Sequence, residues 1–215
     1  NNVKQMAINK KVSFKGLKMG NIDNEDTFYD GKFIKTEKNE KKYIDAFKEN
    51  NIHLFAGTKY HLSQWYYQGK LDFLFVEEAS QISVADLVAL GGITKNIILV
   101  GDSAQLGQPL QGAHPGESGN SVLDYLLEGK DTISEEKGIF LNKTYRLHPK
   151  INSFTSKNFY EGRLLTNKEN INRRIEYKKN SIIKSEGIHT ILMKHQNRSQ
   201  TSIEEFEVIK SLMEG

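Results

Sequence analysis

Two short apolar runs that end abruptly in polar residues organise the middle of the chain. Leu71 to Val76 stops at Glu77-Glu78, and Asn96 to Val100 stops at Gly101-Asp102-Ser103-Ala104-Gln105. A strand covered on both faces reads as a continuous apolar run, which is the pattern of a buried parallel sheet. Ligands of open α/β sheets bind where such strands stop. Glu77, Glu78, Asp102 and Gln105 are therefore expected near one crevice, a layout suited to holding a metal–phosphate group and positioning a water. Between the two runs, Ser83 to Leu90 reads as a helix, with Ser83 and Asp86 at capping-box spacing and Gly91-Gly92 at its end.

The same alternation extends on both sides. Upstream, Val12, Phe14, Leu17 and Met19 hint at a strand, and Tyr43, Ile44 and Phe47 mark one face of a helix within 39–49. Ile52 to Ala56 reads as a strand, and Leu62, Trp65 and Tyr66 as a short helical stripe. That spacing favours core packing for Trp65 over a base-stacking platform formed with Tyr66 and Tyr67. Downstream, Ser121 to Glu128 reads as a helix with Ser121 and Asp124 as a capping box and Gly129 past its end. Gly138 to Leu141 reads as a strand. Pro149 opens a helix whose apolar face is Ile151, Phe154 and Phe159. Strands alternating with helices predict an α/β fold, a parallel sheet with helices on both faces. Residues 163–184 break the pattern with seven Lys or Arg against two Glu, and read as a linker or solvated basic strip. Ile188 to Met193 (strand) and Ser202 to Met213 (helix, Ser202 and Glu205 as a capping box) then open a new unit.

Composition narrows the classes. The 215 residues suit one large domain, or one domain with part of another. No cysteine is present, which removes disulfides, thiolate metal sites and thiol catalysis and fits a cytoplasmic protein. No run of eighteen apolar residues suggests a membrane span. A net charge of +3 permits nucleic-acid contact without arguing for it. His114 has no second His or Cys at ligand spacing, so it is not expected to hold a metal.

Three segments carry a resemblance. FLFVEEASQ, ILVGDSAQLGQP and LNKTYRLHPKINSF with FYEGRL resemble, in order and spacing, motifs II, III and IV of the superfamily 1 helicases. The branch is the one that contains the nonsense-mediated-decay RNA helicase and the nuclease-helicase of Okazaki-fragment processing. LGQPLQGAHPGESGNSVLDYLL looks closer still to bacterial fusions of a RecB-like nuclease with such a helicase. The resemblance covers roughly residues 51–215. It implies an incomplete RecA-like P-loop NTPase domain over 1–165, a basic linker over 166–185, and the start of a second RecA-like domain over 186–215.

The resemblance also implies roles. Glu78 stands at the general-base position, where a carboxylate activates the attacking water. Glu77 stands where the family has an Asp that holds Mg²⁺ through water. Its extra methylene moves the carboxylate outward by about 1 Å, and Mg²⁺ tolerates poor geometry badly. Gln105 resembles the γ-phosphate sensor, an amide able to accept from water and donate to phosphate together. Asp102 ends its strand beside motif II. Arg146 resembles the arginine that reaches the γ-phosphate, and Tyr145 the residue stacked on the nucleotide base. Gly57-Thr58 resembles the motif, Ic, that contacts the nucleic-acid backbone, and the loop carrying His114 lies near the nucleic-acid path in the family. Read alone, each has a plainer reading: a solvated Glu pair, an Asp turn, a core Tyr and a surface Arg.

The expected whole is an ATP-dependent, Mg²⁺-dependent helicase or translocase acting on single-stranded DNA or RNA. No GxxxxGK[ST] loop occurs in the chain. The phosphate loop is expected upstream and the distal motifs downstream in the same polypeptide, with a nuclease domain as a further candidate, and the 215 residues alone are expected to be inactive. Two rivals are a catalytically degenerate nucleic-acid-binding or scaffolding domain, marked by Glu77, and a metal-dependent nuclease using Glu77, Glu78 and Asp102.

Overall fold

A computed structural model describes residues 2–20, 28–49, 51–107, 112–176, 183 and 186–214. The chain forms two compact units, Asn1–Leu126 and Leu127–Gly215. The architecture is α/β, with parallel strands flanked by helices as in a RecA-like fragment.

In the first unit, α1 (Asn2–Lys10) is followed by β1 (Gly16–Met19), β2 (Ile34–Glu37), α2 (Glu40–Lys48) and β3 (Leu54–Ala56). The strand β1 is central, pairing in parallel with β2 on one side and β3 on the other. Asn39 caps α2 by accepting from the Lys42 N–H. The apolar face anticipated for that helix is real: Tyr43 is fully buried, and its ring meets Phe55 edge-on at 5.5 Å while Phe47 meets Phe55 at 4.9 Å. Next come α3 (Lys59–Leu62) and a 3-10 turn (Trp65–Tyr67), whose buried members are Leu62 and Tyr67. Trp65 is 78% exposed, so the expectation that it packs in the core is overturned. One continuous helical period would turn Trp65 inward, but the helix stops at Leu62. The tighter turn that follows rotates Tyr67 inward in place of Trp65.

The strand β4 (Leu74–Glu77), helix α4 (Val84–Gly91) and strand β5 (Ile97–Val100) form the second parallel pair. The capping box is complete: Ser83 Oγ accepts from the Asp86 N–H, and the Asp86 carboxylate accepts from the Ser83 N–H. Leu74 and Val76 are buried on one face of β4. The opposite face carries Phe73, Phe75, Ile98 and Val100, all exposed, with Phe75 directly beside Ile98. The single sheet anticipated from the sequence is instead several short parallel ladders among the described residues, in the order β2-β1-β3 and β4-β5 in this unit. The helix α5 (Val122–Leu127) closes the unit. Its expected capping box is not made: Ser121 Oγ is buried with no hydrogen-bond partner, and the Val122 N–H donates instead to Ile82 O at 2.8 Å.

In the second unit, Gly138 to Leu141 is not a strand; the strand falls later, as β6 (Lys143–Thr144). It pairs in parallel with β7 (Leu165–Thr166), which follows α6 (Pro149–Phe159). Phe154 and Phe159 of α6 are exposed while Asn152 and Ser156 are buried, the reverse of the expected face. Those two polar groups tie the helix to the chain that returns beside it: Asn152 Nδ2 donates to Leu164 O, and Ser156 Oγ accepts from the Leu164 N–H. The first part of the basic strip is structured. Arg163 donates to Ile133 O at 3.0 Å and lies over the Phe140 ring, and a 3-10 turn spans Lys168–Asn172. Much of the rest of the strip, within 177–185, lies outside the described residues. Ile188 to Met193 is irregular rather than a strand. The helix α7 (Ile203–Glu214) forms as anticipated, with Ser202 Oγ accepting from the Glu205 N–H.

Candidate active site

The parallel register sets Leu74 beside Ile97 and Glu77 beside Val100, so both strands end at the same level. The two polar turns that follow are thereby neighbours, as the apolar runs implied. The chain leaves β4 through Glu78, whose backbone is left-handed (φ 53°, ψ 46°). A non-glycine residue there costs about 1–2 kcal/mol, and such strain gathers at functional sites. The sharp exit feeds a 3-10 turn, Ala79–Gln81, closed by the Gln81 N–H donating to Glu78 O at 2.8 Å. Ala79 and Ser80 are buried beneath it, while Glu77 and Glu78 are exposed.

Gly101 locks the second turn against the first. A Cβ at this position would lie 2.7 Å from the Ala79 backbone nitrogen and 3.1 Å from that of Ser80. Asp102 then organises its own loop. One carboxylate oxygen accepts from the Ala104 N–H at 3.1 Å and the other from Gln105 Nε2 at 2.9 Å. Gln105 is thus held by its amide nitrogen. It lines an open cleft of about 660 Å³ with Gln81, Ala104, Leu106 and Gly107. Gln81 received no role from the sequence, although it closes the same tight turn that Glu78 opens. Glu77 and Glu78 are not among the residues lining that cleft. Among the described residues, no three His, Asp or Glu side chains converge into a metal cage.

Gly57 and Thr58 follow β3. The His61 ring packs onto Gly57, where a Cβ would meet its Cδ2 at 3.1 Å, and Thr58 caps α3 by accepting from the His61 N–H. Burial pushes the His61 pKa down, partly offset by Glu40, and its Nε2 lies 2.9 Å from the Tyr67 hydroxyl. Lys59 pairs with Asp86, joining α3 to α4. Burial alone would raise the Asp86 pKa, but its bonds from Lys59 and Ser83 outweigh that and hold it low. His114 is exposed on its loop, and Gly119 packs closely against its side chain.

In the second unit, Thr144 Oγ accepts from the N–H groups of Arg146 and Leu147, bending the chain tightly after β6. Buried Asn170 donates from its amide to both Thr144 O and Leu147 O, clamping the turn from outside. Tyr145 and Arg146 therefore stand exposed on a braced turn, with Lys143 Nζ 5.9 Å from the Tyr145 ring centroid. His148 Nδ1 accepts from the Lys150 N–H and caps α6. Asn170 is a positioning residue that the sequence did not reveal, because it lies in the strip that charge alone marks as solvated.

Comparison with known proteins gives three partial matches. An AAA domain family matches residues 119–214. A probable helicase of Arabidopsis thaliana, MAGATAMA 3, is 34% identical over 96 residues, covering 43% of this chain and 11% of that protein. The DNA replication ATP-dependent helicase/nuclease DNA2 of Gallus gallus is 32% identical over 108 residues, covering 48% of this chain and 10% of that protein. Over this stretch the chain is similar to helicases. Both relatives are in keeping with the resemblance carried by motifs II to IV. The matched stretch spans about a tenth of the length of each of these relatives. No helix among the described residues is long and apolar enough to cross a membrane.

Proposed function

We propose that this helicase-family chain is the central part of a motor that couples ATP hydrolysis to movement along single-stranded DNA or RNA. The observation that carries the reading is the paired ending of β4 and β5, which sets the strained Glu78 turn against the Gly101–Gln105 turn. Glu78 is the general base: its carboxylate takes the proton of the water that attacks the γ-phosphorus. Gln105, held by Asp102, senses the γ-phosphate. Arg146 supplies positive charge to the equatorial phosphoryl oxygens, a role worth about 10³–10⁵ in rate. Tyr145 stacks on the base of the nucleotide.

The donor set fits magnesium. Mg²⁺ is commonly bound by one or two carboxylates together with water and substrate phosphates rather than by an all-protein cage. Glu77, exposed at the strand end, is such a donor. The ion's contribution, when bound, is to offset phosphate charge. Gly57, Thr58 and His114 contact the strand of nucleic acid. The expected domain division, 1–165 and 186–215 about a basic linker, belongs to this reading, as do a phosphate loop elsewhere in the polypeptide, a second RecA-like domain, a fused nuclease domain and a cytoplasmic setting.

The test is phosphate release. The 215 residues alone should show no hydrolysis stimulated by single strands, whereas the longer polypeptide should, and Glu78→Gln in it should abolish turnover. Unchanged turnover in Glu78→Gln removes the assignment. A scaffolding role is favoured by one observation, Glu77 in the place of the family's Asp. Glu77→Asp separates the two: a large gain in hydrolysis supports degeneration, and a loss shows that Glu77 is fitted to its site.

A further inference from the structure

The segment after Gly57-Thr58 divides into anchors and displayed rings. Leu62 and Tyr67 are buried, and Tyr66 packs on Tyr67 with ring centroids 4.4 Å apart. Trp65 lies roughly perpendicular to Tyr66, with ring centroids 6.0 Å apart, and is 78% exposed. Tyr60 is 69% exposed, with Lys59 Nζ 5.2 Å from its ring centroid. Tyr60 lies in α3 and Trp65 opens the 3-10 turn that follows. Ser63 Oγ and Gln64 Nε2 both donate to Tyr60 O, at 3.2 and 3.1 Å, and the Gln68 N–H donates to Trp65 O. The exposed members of this stretch are Tyr60, Gln64, Trp65, Gln68, Gly69 and Lys70. None is aliphatic, so the surface offers flat rings among amides and an ammonium group.

We infer that Trp65, with Tyr60 exposed five residues earlier, is a stacking surface for the bases of a single-stranded nucleic acid, an inference that rests on the nucleic-acid reading above. Every base presents a π-face, so an exposed, rigidly mounted indole binds bases without regard to sequence. A duplex hides those faces and a single strand presents them. The Gln64 and Gln68 amides and the Lys70 ammonium group in this stretch suit sugar and phosphate; Trp and Tyr are also common at protein interfaces, and the titrations below separate the two.

Trp65 is the sole tryptophan of the chain, so its emission reports this one position. The 215-residue chain is titrated with an oligothymidylate, an oligouridylate and a base-free phosphodiester strand of equal length. Binding is read in parallel by anisotropy of labelled strands. Both base-bearing strands should quench Trp65 and the base-free strand should not. Trp65→Ala should weaken binding of base-bearing strands at least about fivefold, the lower end for one stacked base, with the salt dependence unchanged because no phosphate contact is lost. Trp65→Phe should retain most of the affinity, which guards against a misfolded alanine variant. Equal strand binding by the wild type, Trp65→Ala and Trp65→Phe, with emission unmoved, overturns the stacking surface and leaves the nucleic-acid reading intact. No binding of any strand overturns both. Emission that shifts with protein concentration before any strand is added assigns the ring to a second copy and overturns the inference.

Discussion

Replacing Gly101 by alanine tests the physical link between the two turns of the site. The new Cβ would sit 2.7 Å from the Ala79 nitrogen and 2.9 Å from Leu123 Cδ1. Ordinary contact lies near 3.5–4.0 Å. The leucine can swing aside, but the Ala79 nitrogen is backbone at the first position of the 3-10 turn and cannot. One turn must therefore retreat by roughly 1 Å, and overpacking of this kind costs about 1–3 kcal/mol. Gly91→Ala is the matched control, since nothing lies within 4 Å of its ideal Cβ at the end of α4. That change should be neutral or stabilising by about 0.4–1 kcal/mol. Urea unfolding followed by Trp65 emission reports the unit that contains both glycines. The expected result is a lower midpoint for Gly101→Ala at unchanged slope, opposite in sign to any shift for Gly91→Ala. On the proposed motor reading, the same 1 Å should reduce hydrolysis on the order of 10²-fold. Equal midpoints for Gly101→Ala and wild type would refute the packing argument.

Other expectations follow from single contacts. Asp86→Ala removes both the reciprocal cap of α4 and the Lys59 partner, and should cost about 1–2 kcal/mol by thermal or urea unfolding. Asp86→Asn, which keeps an acceptor for the cap but loses the ion pair, should cost less; equal losses would deny the cap any share. His61 has its pKa lowered by burial. The unfolded state therefore binds more protons than the folded state below the ordinary histidine value near 6.5. Stability should be fully present above that value and fall as pH drops below it, and His61→Gln should flatten this part of the profile; an unchanged slope would show that another group titrates there. On the proposed motor reading, Arg146→Lys keeps the charge but loses the planar fork, and should reduce turnover much more than nucleotide affinity. Asn170→Ala should do the same by freeing the turn that displays Arg146, and an unaltered rate would make that clamp irrelevant to the reaction.

Where local chemistry and long-range packing agree, the sequence already describes the molecule. The Ser83–Asp86 box and the helices bearing Tyr43 and Pro149 form as read, because each signal is complete within a few residues. The paired strand endings were also legible, since a run apolar on both faces admits few other readings. Trp65 was misplaced because one change of helical pitch, from α3 to the 3-10 turn, exchanges the inward ring. The face of α6 departs from its apolar pattern because its buried side is filled by Asn152 and Ser156, whose partner, Leu164, belongs to the chain that returns beside the helix just before β7. Gln81, Gly101 and Asn170 lacked any signal of their own. Their importance lies in what stands opposite them, and only folding brings that neighbour close.

The bare side of the β4–β5 pair has a practical meaning at the bench. Two phenylalanines, an isoleucine and a valine facing water form an adhesive strip. Sulfate and other strongly excluded salts strengthen apolar association, so a preparation of these residues should cloud in ammonium sulfate well before ordinary salting-out and clear on dilution. Exchanging Phe75 for a charged side chain should delay that clouding.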